Sequence, residues 1–97
     1  MSDAATADLE QLGRDAARQV AGDAAVEQVE VVEGESFDRA VYRFSFLIDQ
    51  DRALLRRGLM YSRIVQALSD ALIARNDAHY PVITLLDRED WDKRTRA

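Results

Sequence analysis

The chain has 97 residues, of which 47% are hydrophobic and 32% charged, and its formal net charge is −5. That is the size of one domain, residues 1–97, with enough apolar content for a single core that needs no metal or disulfide to close it. It has no cysteine, which excludes disulfides, thiolate metal sites and cysteine nucleophiles.

The charge is unevenly spread. Residues 1–38 hold ten acids and two arginines, whereas residues 39–97 hold eight acids and eleven bases. An acidic chain is a poor basis for binding nucleic acid by phosphate neutralisation, although the arginine-rich second half keeps that reading open. The opening M-S-D-A-A-T-A-D-L-E has acids but neither a basic nor an apolar secretory region, and no apolar run approaches a membrane span. The expected location is the cytoplasm, with no membrane contact. Arginine supplies 12 of the 13 basic residues and alanine is abundant, a composition that matches a GC-rich bacterial genome.

The first segment, Thr6 to Ala21, reads as a helix. Leu9, Leu12, Ala16 and Val20 recur at spacings of 3, 4 and 4 and make one thin, alanine-weighted face suited to close packing on a sheet. Thr6 or Ser2 offers a cap, Gly13 costs helicity, and Gly22-Asp23 ends the segment. Val26 to Val32 is β-branched with acids interleaved and reads as a strand, followed by a turn at Glu33-Gly34-Glu35-Ser36. Arg39 to Ile48 alternates clearly: Ala40, Tyr42, Phe44, Phe46 and Ile48 share one face, and Val41, Arg43, Ser45 and Leu47 share the other. These two strands should form an antiparallel hairpin.

Asp49-Gln50-Asp51 offers caps for a long helix from Arg52 to Arg75. Leu54, Tyr61, Ile64, Val65, Leu68 and Leu72 gather on one side of it, with Arg52, Arg56, Arg63, Gln66 and Asp70 opposite. Gly58 can kink or split it. Arg57 falls near the apolar side, so either the helix breaks at Gly58, or Arg57 snorkels, or it meets a carboxylate such as Glu30. Asn76-Asp77 stops the helix. Tyr80 to Leu86 is a third strand, and Pro81, with no N–H to give, favours the start of an edge. Asp87 caps a short final helix, with Asp90 at its third position and Glu89 four residues before Lys93. The order α-β-β-α-β-(α) predicts an α+β two-layer sandwich: a three-stranded sheet with helices packed on one face, and strand three parallel to strand two if the crossover stays in one sheet.

The chemistry-bearing residues support no catalytic set. The lone His79 has no second histidine for zinc, and Ser36, Ser45, Ser62 and Ser69 lack a G-x-S-x-G setting. His79 sits at a helix-to-strand junction and reads as a loop residue. A small hydrolase or metal-dependent enzyme would need His79, Asp87 and Asp90 to converge in one pocket. The acids at Asp87, Glu89, Asp90 and Asp92 have helix-terminus explanations and form no calcium-loop pattern. No glycine-rich phosphate loop occurs, and no cofactor or metal is implied.

Arg52, Arg56, Arg57 and Arg63 cluster around Gly58, either as a solvated helix face or as a nucleic-acid contact. With a break at Gly58 the element order resembles the α-β-β-α-α-β order of one class of KH RNA-binding domain, in element order alone. The G-x-x-G loop of that family is missing, and R-R-G-L-M-Y stands here instead. Leu55, Leu59, Met60 and Ile73 exceed what one narrow stripe buries, so they are either a wide core face or an interface. Trp91 has to cover something beyond the last strand, either this chain's sheet or a partner. The reading that follows is a non-catalytic interaction module, homodimeric or bound to another protein, with Leu55, Leu59, Met60, Ile73 and Trp91 as candidate contacts.

Overall fold

The structure is a computed structural model that describes residues 3–95. Its elements are α1 (Asp3–Ala21), β1 (Val26–Ser36), β2 (Arg39–Ile48), α2 (Arg57–Ala74), β3 (Tyr80–Leu86) and α3 (Arg88–Thr95). The sheet order is β1-β2-β3, with β1 antiparallel and β3 parallel to β2. This is the expected α+β fold, with β2 central and two edge strands, but the helices are not all on one face: α1 and α2 cover one and α3 the other.

β2 builds the core. Tyr42, Phe44, Phe46 and Ile48 all point to the face that carries α1 and α2, and each is at least 93% buried. Their rings form a ladder: Phe44 and Phe46 stack with centroids 6.1 Å apart, and Tyr42 meets Phe44 edge-on at 6.4 Å. Each buried aromatic stabilises the fold by about 1.5–3 kcal/mol. From α2, Met60, Ile64, Leu68 and Leu72 descend on this ladder at four-residue spacing. From α1, Leu9, Ala16, Ala17 and Ala21 join the same core. Gly13 now has a purpose. A Cβ there would lie 2.8 Å from Phe44 Cδ1, so the bare glycine lets α1 settle directly onto the ring.

Three boundaries differ from the sequence reading. The structure finds α1 already helical at Asp3, so Thr6 is interior, and Ser2 lies outside the described residues. The hairpin turn is not Glu33–Ser36 but the pair Phe37-Asp38, both left-handed at φ 52° and 61°. Ser36 pairs with Arg39, and the ladder therefore runs the full length of both strands. Neither residue is the glycine or asparagine that usually announces such a turn, which is why it went unseen.

The long helix begins at Arg57, not Arg52, and its N-cap is Arg56 with no side-chain cap bond. Residues 49–56 are committed elsewhere: Asp49 N–H donates to Ala25 O, and Leu54 N–H donates to Ala21 O at the end of α1. Gly58 therefore falls in the first turn of one uninterrupted helix, and no second helix forms there.

The far end of α2 closes in a Schellman motif. Asn76 takes φ 57°, its N–H reaches Ile73 O, and Asp77 N–H reaches Leu72 O. That stop fixes Asp77 and His79 at the entrance to β3.

α3 adds cover to the other side of the sheet. Asp87 caps it through a 2.8 Å bond from Asp90 N–H, and Glu89 pairs with Lys93 at 3.1 Å, both as the spacing implied. α3 contacts β2 and β3, and its arginines reach back to β1, Arg88 to Glu27 and Arg94 to Glu30. Trp91 is buried at this junction, on the face where Leu47 is fully buried. Trp91 therefore covers this chain's own sheet.

Candidate functional site

The densest set of interacting polar groups lies where β1, β2 and the α2–β3 turn meet. His79 Nδ1 is 2.6 Å from Asp77 Oδ1, and His79 Nε2 is 2.7 Å from Glu33 Oε2. Tyr42 donates its hydroxyl to Asp77 Oδ2 at 2.7 Å, and its ring stacks on the imidazole at 4.0 Å and 6°. The His79 backbone N–H also donates to Asp77 Oδ1.

Local chemistry dictates each placement. Tyr42 is on the inward face of β2 by period, Glu33 sits opposite it in the β1–β2 register, and Asp77 is delivered by the helix stop.

The electrostatics follow from these contacts. Burial works against a charged His79, but carboxylates at both ring nitrogens outweigh it and raise its pKa above 6.5. The imidazolium then donates on both sides. Burial works likewise against a charged Asp77, yet the His79 N–H, the Tyr42 hydroxyl and the His79 ring hold its pKa below 3.8. Burial and then the bond to Asp77 push the Tyr42 phenol up to about 12. The cluster is a charge-linked clamp that ties three segments together. Its histidine is spoken for on both sides, which leaves it without a free nitrogen to act as a base.

Sequence reasoning placed His79 at a junction but missed Glu33, Tyr42 and Asp77 as its partners. The available signal was the D-A-H spacing directly after a helix stop. The remaining two members are 37 and 46 residues away in sequence, beyond any local pattern.

The other candidate residues are scattered. His79 precedes β3 and Asp87 follows it; seven strand residues separate them by roughly 23 Å, so His79, Asp87 and Asp90 do not converge. Among the described residues no group of three or more His, Asp or Glu side chains is arranged to hold a metal ion.

The four arginines also take separate roles. Arg52 pairs with Asp49 at 3.4 Å. Arg57 donates to the carbonyl of Leu85, not to Glu30, which Arg94 holds instead. Arg56 joins Arg57, Gln50 and Asp87 around an open concavity of about 500 Å³, and Arg63 is on the outer side of α2 near α1.

Of the candidate contacts, Met60 is fully buried and Leu55 packs against the core. Leu59 is 46% exposed and Ile73 71% exposed.

Ile73 belongs to a larger feature. Tyr61, Val65, Ser69 and Ile73 form a four-residue-spaced stripe one position along from the buried stripe of α2. Ser69 and Ile73 share a concavity of about 400 Å³ with Tyr80 and Pro81 at the start of β3. Ala67 and Ala71 face α1 on the opposite flank of the helix. The stripe therefore runs beside the free edge of β3, and neither these four residues nor β3 carries a charge. Charged groups flank them: Arg57 one turn before Tyr61 with its guanidinium on the Leu85 carbonyl, and Arg39 and Asp77 in the concavity at the other end.

These features define a small α+β fold with an ion-clamped strand entrance and one edge strand without charged side chains. Compared with known protein families, curated proteins and solved structures, the chain matches none. Among the described residues no helix is long and apolar enough to cross a membrane.

Proposed function

We propose that this chain is a non-catalytic interaction module of the cytoplasm that works as a homodimer. What carries the reading is the uncharged strip formed by β3 and the Tyr61-Val65-Ser69-Ile73 stripe, in a chain where 32% of residues are charged. A molecule with net charge −5 repels its own copies at long range, so self-association needs a face from which charge is absent. Tyr61 and Ile73, 45% and 71% exposed, leave apolar surface in water that a partner would remove.

Sedimentation velocity of the intact chain across a concentration series tests this. A dimer is expected at micromolar concentration. Ile73→Asp, at an exposed position that the fold does not need, should weaken the dimer by at least about tenfold, because it places a charge and its symmetry mate in the contact. A monomer at every concentration ends the reading.

A further inference from the structure

We infer that two copies of this chain pair their β3 strands antiparallel across a twofold axis, joining two three-stranded sheets into one of six. This rests on the self-association proposed above and gives it a geometry.

Among the described residues β3 pairs only with β2, so its other side is an open edge. Among the described residues, no backbone group from outside the sheet bonds to residues 80–86. Successive residues of a strand turn their backbone groups to alternate sides. Pro81 has no N–H for a ladder and is tolerated where that position faces away from the neighbour. Leu85, of the same parity, gives its carbonyl to the Arg57 guanidinium. Both place Pro81, Ile83 and Leu85 in the set that faces the open edge.

That set is complementary to itself. In an antiparallel register centred on Ile83, the two Ile83 residues exchange N–H···O bonds. Each Leu85 N–H then meets the carbonyl of Pro81 in the second copy. The one missing donor, the imide nitrogen of Pro81, falls opposite the Leu85 carbonyl, which Arg57 has already satisfied. No outward group is left without a partner. A foreign strand with a full set of amides would bring one N–H to a carbonyl already in use and one carbonyl to a nitrogen that cannot donate.

The charges agree with a second copy as the occupant. Apart from Arg57, whose guanidinium is engaged by the Leu85 carbonyl, they lie beyond the ends of the strip. Arg39 stands 5.0 Å over the Tyr80 ring at one end, and the exposed Asp87 follows Leu86 at the other. Antiparallel pairing sets Tyr80 against Leu86 of the second copy, so Arg39 meets Asp87 at both ends. α2 contacts β3, and the axis brings the two uncharged α2 stripes alongside each other on the same face of the sheet.

The area is sufficient. A strand about 23 Å long and two layers about 10 Å thick each present roughly 500 Å² per copy, or roughly 1,000 Å² in total, the lower bound for a specific interface.

The chain has no cysteine, so introduced ones react alone. Val82 and Thr84 are on the sheet's other face, and Thr84 is exposed. In this register Val82 lies opposite Thr84 of the second copy as a non-hydrogen-bonded pair, with Cα atoms about 4.5 Å apart, within disulfide reach. Val82→Cys and Thr84→Cys chains, mixed and mildly oxidised, should form linked dimers at least about tenfold faster than either alone, because like positions are offset diagonally. Amide exchange at Ile83 and Leu85 should slow as the dimer forms. A dimer in sedimentation whose mixture links no faster than the single variants overturns the strand pairing and leaves self-association standing. A monomer overturns both.

Discussion

β1 and β3 are both edge strands, yet β1 carries four glutamates in eleven residues and β3 carries no charged side chain in seven. Three of the four β1 glutamates are held from other elements: Glu27 by Arg88, Glu30 by Arg94 and Glu33 by His79. Charge on an edge strand is the usual barrier to unwanted strand pairing, since a neighbouring chain would have to desolvate it. The same sheet thus has one edge closed to association and one left open. The contrast argues that the open edge is meant to be covered, because an uncharged edge without a cover is an aggregation site.

The largest expected effect comes from removing what holds β1. Trp91→Ala should destabilise the chain by about 3 kcal/mol through the cavity left between α3 and the sheet. In a chain this short that lowers Tm by on the order of 15 °C, read by calorimetry. It should also release Arg88 and Arg94 from Glu27 and Glu30, which erodes the difference between the edges. An unchanged Tm would mean that α3 is not part of the folded unit.

Next in size is the pH dependence of the clamp at the start of β3. The raised pKa of His79 means that its contribution is complete below 6.5 and is lost as pH rises through the folded value. The lowered pKa of Asp77 means that its contribution is complete above 3.8 and is lost as pH falls through the folded value. The clamp is therefore strongest between these two pH values and weakens toward alkaline pH. Urea denaturation from pH 5.5 to 9 should show stability declining, and His79→Gln should flatten that decline. An equal slope in the variant would remove His79 as its source.

The smallest effect is expected at the surface of β1. Glu27→Gln breaks an ion pair whose side chains are 55% and 41% exposed, so the loss should be below about 1 kcal/mol. Its use lies in association: if charge is what closes this edge, the variant should associate beyond the dimer at high concentration, and light scattering would detect it.

Local rules served well where an element's own residues decide it. The alternation of Arg39 to Ile48, the edge proline of β3, the Asp87 cap and the Asn76-Asp77 stop were all legible, because each depends on residues within a few positions of one another. The start of α2 was not legible. Asp49 and Asp51 are good caps by type, but Asp49 N–H and Leu54 N–H are drawn to carbonyls at Ala25 and Ala21, a competition that only the packed chain reveals. Met60 and Ile73 show the same limit on a single helix. Thirteen residues separate them, one is fully buried and the other 71% exposed, and the difference depends on where the sheet lies.

The sequence by itself determined which residues of β2 face inward, where three of the helix ends fall, and that β3 would be an edge without charged side chains. Those properties depend on period, backbone chemistry and composition, which act along the chain. Tertiary structure alone decided that Trp91 covers this chain's own sheet, that Gly13 admits Phe44, and that His79 is clamped between Asp77 and Glu33. Each of these needs two or three segments, 31 to 46 residues apart in the chain, to arrive within a few ångströms of one another, and only the completed register of the sheet brings them there.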